Sequence, residues 1–244
     1  MELPKTSWPG NHQVALPDWL LLVRQKLQDT RLEAQRITDA DLVRAISEAV
    51  NVYSKARPRE RIAALIGDGS SYQFSLPSDF HEGFSAVTQV EHPTAEQIPS
   101  YLDDAAYTVR RLPTGALVLQ FYGLTLPTAE EAWISYRARH IVFGGDDTVP
   151  LIDREAVAGL ATAFLFRELS AYYAQTTDST INADAVSYRT KSQEYLTLAT
   201  ALEDAYRRHV GIDGHNTVAA SVSADLDVFL IGGYDRFYHS ARWR

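Results

Sequence analysis

The 244-residue chain contains no cysteine and a single methionine. Without cysteine there is no disulfide, no thiolate metal site and no thiol nucleophile. Long hydrophobic runs are missing too. The longest near-apolar stretch, AVAGLATAFLF at Ala156–Phe166, is shorter than the about 20 residues a membrane-crossing helix needs, so no membrane contact is expected. The opening MELPKTSWPG lacks a basic segment followed by an apolar one, so no signal peptide and synthesis in a cytoplasm are expected. Positive charge is scarce, with 23 Lys and Arg against 31 Asp and Glu and a net charge of −8. An acidic body disfavours non-specific binding to DNA, which depends on Lys and Arg neutralising phosphates.

Catalytic signatures are also missing. GDGS at Gly67–Ser70 and GGDD at Gly144–Asp147 lack the Lys-Ser/Thr and the strand–loop–helix setting of a phosphate loop, and read as turns. There is no G-x-S-x-G elbow and no H-E-x-x-H pair. The seven histidines are His12, His81, His92, His140, His209, His215 and His239. A metal-dependent hydrolase could draw on His81-Glu82, Glu91-His92 and His140 with Asp146 and Asp147. These residues have no recognised ligand spacing, so surface-loop histidines are the default and no metal or cofactor is expected.

What is present is a pattern of periods. Asp18 is placed to cap a first helix with Trp19, Leu20, Val23 and Leu27. Thr38 then precedes Asp39 and Asp41, an N-cap with acidic residues in the first turn. Leu42, Ile46, Ala49, Val50 and Tyr53 follow at helical spacing, and Arg57-Pro58 ends the run. From ~60 to 143 the period changes to two. RIAALIG and YQFSLP flank Asp68-Gly69 as a hairpin pair. SAVTQVEH reads as a strand with Ala86, Thr88 and Val90 on one face, and YTVRR, ALVLQFYG and AWISYRAR are further strands. Helices return with Asp153 as a cap, then Val157, Leu160, Phe164 and Leu165, apolar around much of the circumference. A last helix runs from about Ala183 to His209.

The expected fold is therefore α+β. It is a four-helix-type bundle with an inserted, mainly antiparallel β-sheet and an extended C-terminal arm. The divisions are N-terminal helices at 1–58, a β-rich region at 59–150, C-terminal helices of the same bundle at 151–211 and the arm at 212–244. TVAASVSADLDVFLI leads into the final stretch IGGYDRFYHSARWR, Ile231–Arg244. From Tyr234 onward three arginines and one aspartate give +2, leaving −10 on the rest of the chain. Four aromatics in so short a stretch are unlike a disordered end. Tyr, Trp and Arg are the residues most enriched at interface hot spots. Gly232 and Gly233 are expected to act as a hinge, and Tyr234, Arg236, Phe237, Tyr238, Arg242, Trp243 and Arg244 as docking residues for a partner. Arg57, Arg59, Glu60 and Arg61, with Phe166 and Arg167 on the apolar helix, are candidates for a contact between subunits.

YSKARPRE at Tyr53–Glu60, LPSDFHEGFSAVTQVEHP at Leu76–Pro93, DREAVAGLATAFLFRELSAYY and SYRTKSQEYLTLATALEDAY together resemble the head-to-tail adaptor, or connector, proteins of tailed bacteriophages. The resemblance spans most of Tyr53–Tyr206. It implies a structural, non-enzymatic virion protein in the neck, forming a homo-oligomeric ring of roughly twelve copies, a dodecamer, beneath the portal. It also implies that DNA passes through the channel without sequence-specific binding. The implied partners are the portal protein, neighbouring copies, and a stopper or tail protein below. A neck stopper or tail-completion protein is the related alternative.

Overall fold

The computed structural model describes residues 16–29, 36–143, 147–175 and 184–212. Four α-helices and two three-stranded antiparallel sheets make up these residues, an α+β fold.

Helix α1, Leu16–Leu27, starts two residues before the expected cap, so Asp18 lies inside its first turn. Helix α2 is Asp39–Ala56. The Thr38 side chain caps it by accepting from the Asp41 amide, and α2 stops at Arg57, before Pro58. After the β region come α3, Leu151–Gln175, and α4, Asp184–Val210. Helix α3 packs against α1, α2 and α4, which explains why it is apolar on several sides: its own chain wraps it. Trp19, Val23, Leu42, Ile46, Val50, Tyr53, Val157 and Leu165 are buried in the bundle core.

The strands are β1 (Arg59–Ile66), β2 (Gln73–Ser75), β3 (Val87–Glu91), β4 (Tyr107–Arg111), β5 (Leu117–Phe121) and β6 (Glu131–Ala138). One sheet has the order β1-β6-β3 and the other β2-β5-β4. The inserted region is thus two sheets where one was expected. The expected hairpin at Asp68-Gly69 is not formed. β1 pairs along its whole length with β6, and β2 pairs with β5. Gly67 donates to Glu130 O and Gly69 to Leu126 O, so the turn is held on the 126–130 loop and carries the chain from one sheet to the other. Asp68 tightens it by accepting from the amides of Ser70 and Ser71.

Strand β3 departs from strict alternation. Its register shifts between Val87 and Gln89, so Val87 lies opposite Tyr136 and Gln89 opposite Ser135. A bulge of this kind re-aims side chains by one position. Val87 and Val90 accordingly reach the same core, with Leu65, Phe74, Leu119, Phe121, Ile134 and Tyr136. This second core shares no buried residue with the bundle core.

Candidate functional site

The densest polar cluster lies where the chain leaves the bundle for the sheets and returns. Asp153, in the first turn of α3, has a side chain only 3% exposed. Tyr53 Oη donates to its Oδ2 at 2.5 Å, and Arg57 Nη1 reaches Oδ1 and Oδ2 at 3.0 and 3.1 Å. His209 Nε2, from the last turn of α4, lies 2.7 Å from Oδ1. Burial pushes the Asp153 carboxyl up, but Tyr53, His209 and Arg57 outweigh it and hold the group below the usual carboxylate range. Arg57 Nη2 donates to His209 O and Val210 O, which are free carbonyls at the end of α4. One carboxylate therefore ties the end of α2, the start of α3 and the end of α4 together. Buried Tyr206 adds a hydroxyl without a protein partner, pushed up to about 12 chiefly by burial.

His140 closes the joint from the returning chain. Its amide donates to Ser54 Oγ at 3.0 Å. Its ring lies between Thr148 O, 2.8 Å from Nδ1, and Arg57 O, 3.0 Å from Nε2, and packs on Tyr53. Burial pulls this imidazole below its ordinary value, opposed by the two carbonyls. The expectation of a surface-loop histidine fails at His140, which is half-buried with a carbonyl oxygen facing each ring nitrogen, whereas His209 lies at the end of the last helix as expected. The Asp147 side chain is fully buried, accepting from Trp19 Nε1 at 2.8 Å and paired with Arg154 at 3.0 Å. Asp146 lies outside the described residues. Among the described residues no group of three or more His, Asp or Glu is placed to hold a metal ion, and no helix is long and apolar enough to cross a membrane.

The candidate subunit-contact residues separate in the structure. Arg57 belongs to the joint. Arg59 and Arg61 both pair with Asp79, at 3.4 and 3.2 Å, and Glu60 is exposed beside them. Phe166 is buried between α3 and α4, stacked on Tyr195, whereas Arg167 lies half-exposed on Glu203. The hinge Gly232-Gly233 and the docking residues Tyr234, Arg236, Phe237, Tyr238, Arg242, Trp243 and Arg244 lie outside the described residues.

The sequence reading missed Asp153 as a hub, because a first-turn Asp reads as a cap. It also missed the outer face of the β1-β6-β3 sheet. There Ile62 and Ile66 are each 66% exposed, with exposed Ala64 between them and Trp133 on the neighbouring strand. Leu151 and Ile152 at the start of α3, and Leu196 and Leu198 on α4, are further exposed apolar side chains.

No family model matches the chain, and no curated protein matches it. Among solved structures it is similar to a chain in the neck of an empty gene transfer agent particle computed with C6 symmetry. Identity is 16%, coverage is 80% of this chain and 95% of the other, and the TM-score is 0.28. A chain from the virion of a native gene transfer agent particle is 15% identical, over 78% and 92% of the two chains, with a TM-score of 0.29. A chain in the neck of a native particle computed with C12 symmetry is 18% identical, over 76% and 93%, with a TM-score of 0.25. Likeness at this level carries no functional argument.

Proposed function

We propose that this chain is a head-to-tail adaptor of a tailed-phage-type particle, a structural protein that forms a ring beneath the portal and continues the DNA channel towards the tail. The observation that carries the reading is the architecture. Two helices, an antiparallel β insertion and two longer helices make a bundle with a projecting β part, and α4 delivers the chain into a basic, aromatic arm. This is the organisation the sequence resemblance implies. Exposed apolar residues support it. Leu196 and Leu198 on α4 and Leu151 and Ile152 on α3, together with the exposed charges of Glu60, Arg61 and Arg167, offer faces for heterologous contacts in a closed ring of roughly twelve copies. The acidic body suits a channel wall that DNA slides along without sticking.

In this reading Tyr234, Phe237, Tyr238 and Trp243 insert into pockets of the portal, and Arg236, Arg242 and Arg244 pair with carboxylates beside them. Repetition around the ring turns modest anchors into strong attachment. The test is truncation after Ile231. The shortened protein is expected to keep the wild-type circular dichroism and melting profile, and to fail to join portal-bearing heads. Normal attachment of the truncated protein to portal would remove the arm from its role.

A further inference from the structure

We infer that the open edge of β1 is an interaction surface for a second copy of this chain, the two β1 strands pairing antiparallel about a two-fold axis so that two β1-β6-β3 sheets become one. β1 is eight residues long, with β6 on one side and, among the described residues, no strand on the other. Its ladder with β6 fixes which backbone groups the edge offers. The Gly67 amide donates to Glu130 O, and these residues continue the register that sets Ile66 opposite Glu131. Opposed residues of an antiparallel pair exchange bonds at every second position. Arg59, Arg61, Ala63 and Leu65 therefore bond to β6, whereas Glu60, Ile62, Ala64 and Ile66 turn their N–H and C=O outward. The far side of β6 agrees, since Arg137 N donates to Ala86 O, so that odd-numbered β6 residues serve β3 and even-numbered ones serve β1. All four outward residues of β1 are exposed.

Folded proteins blunt an open edge with charge, proline or a bulge. From Ile62 to Ile66 β1 carries no charge and no proline, and its register with β6 is unbroken. This edge also fits itself. In a two-fold contact residue i meets j and j meets i. Opposed residues must lie on the same sheet face, so Glu60, Ile62, Ala64 and Ile66 oppose only one another. Centring the axis on Ala63 pairs the whole stretch 60–66. Glu60 then meets Ile66, Arg61 meets Leu65 and Ile62 meets Ala64 of the second copy. No residue opposes a like charge, which would destabilise the pair. Within one copy Ala64 lies beside Trp133 and Ile62 beside Ser135 on the outer face. Pairing extends that row from Trp133 and Ala64 to Ile62 of the second copy, and the reverse, so both copies share one apolar band. Glu60, opposite Arg137 of its own chain, and Glu131 lie at its ends.

The contact uses none of the exposed apolar residues of α3 and α4, and it needs no portal. It belongs to the free chain and stands apart from the adaptor reading, so either can fail without the other.

The unaltered full-length protein supplies the first test. Sedimentation equilibrium should show a reversible dimer in the micromolar range. Hydrogen exchange at Ile62, Ala64 and Ile66 should be about tenfold or more slower in concentrated than in dilute solution, while β6 and α3 exchange alike in both. Ala64→Pro removes an outward N–H but no bond to β6, a place where an edge strand tolerates proline. It should keep the wild-type circular dichroism and lose the dimer. The chain has no native cysteine, so single cysteines report the register. Ala63→Cys sets two thiols directly opposite across the axis, at a position where Cα atoms lie about 4.5 Å apart, and should give a disulfide-linked dimer under mild oxidation. Ala64→Cys, though more exposed, should not, because its counterpart lies two residues along the strand, beyond the about 7 Å reach of a disulfide. A chain that stays monomeric at every concentration would overturn the inference. So would edge amides that exchange slowly in the dilute monomer, showing that another part of the chain covers them. A dimer that survives Ala64→Pro, or equal bonding by both cysteine variants, would place the contact elsewhere.

Discussion

Asp153 concentrates at one position what ties three helices together. Its carboxylate is almost wholly withdrawn from water and receives Tyr53, Arg57 and His209. Removing one partner of a buried charge cluster leaves the others uncompensated, which costs about 3–5 kcal/mol. Asp153→Asn is therefore expected to lower stability by about 3 kcal/mol in urea unfolding, and Tyr53→Phe by about 2 kcal/mol, since a hydrogen bond to a charged group contributes about 1.5–3 kcal/mol. The same joint makes stability depend on acid in two stages. His140 binds its proton less readily folded than unfolded. Its contribution is present above the unfolded value of about 6.5 and is lost as pH falls through the folded one. Asp153 also has a depressed value, so its contribution is present above about 3.9 and is lost as pH falls further. Melting temperature measured from pH 8 to pH 3 should fall first below about 6.5, and His140→Gln should flatten that first fall. None of this was legible in the sequence, where Tyr53, His140, Asp153 and His209 are far apart and each has an ordinary local role.

At the scale of elements the sequence was informative wherever a local rule decided. The Thr38 cap and the Arg57-Pro58 stop bound α2 as expected, because capping and proline sterics act within a few residues. The strands were found from alternation, but their partners were not. Asp68-Gly69 has hairpin chemistry, yet the preference of β1 for β6 is settled by contacts about 70 residues away in sequence, such as Ala64 with Trp133. The bulge in β3 was hidden for the same reason. Gly67 shows how the crossing between sheets is built. A Cβ at this position would collide with Pro127 O and Leu126, so only glycine lets the β1 end approach the 126–130 loop. Gly67→Ala should cost about 1–3 kcal/mol, the range for overpacking a closed site. Gly83→Ala, where the added carbon meets nothing within 4 Å, should cost less despite φ of +77°. Chemical denaturation of the two variants side by side checks the ranking.

For the whole molecule the decisive feature is that two hydrophobic cores are joined by a polar neck. The bundle core and the sheet core have no buried residue in common, and the chain crosses between them only at Arg57-Pro58 and through residues 139–150. The order of helices, strands and helices was readable from the change of period, whereas the joint between them was not, and the arm lies beyond the described residues. Cooperative unfolding of such a molecule depends on what crosses the neck. The His140 amide on Ser54 and the His140 ring on Arg57 O are contacts of the returning chain with the end of α2. Neither Ser54 nor His140 is itself a member of a core cluster, though the His140 ring packs on Tyr53 of the bundle core. Two tryptophans report separately: Trp19 is buried in the bundle, and Trp133 lies on the outer face of a sheet. With the other tryptophans replaced by Phe, fluorescence of Trp19 alone and of Trp133 alone should trace coincident urea transitions in the otherwise unaltered protein, the mark of two-state behaviour. In Ser54→Ala/His140→Ala the two curves should separate, because each core then melts at its own stability. Curves that still coincide would mean that the cores are coupled through contacts other than this neck.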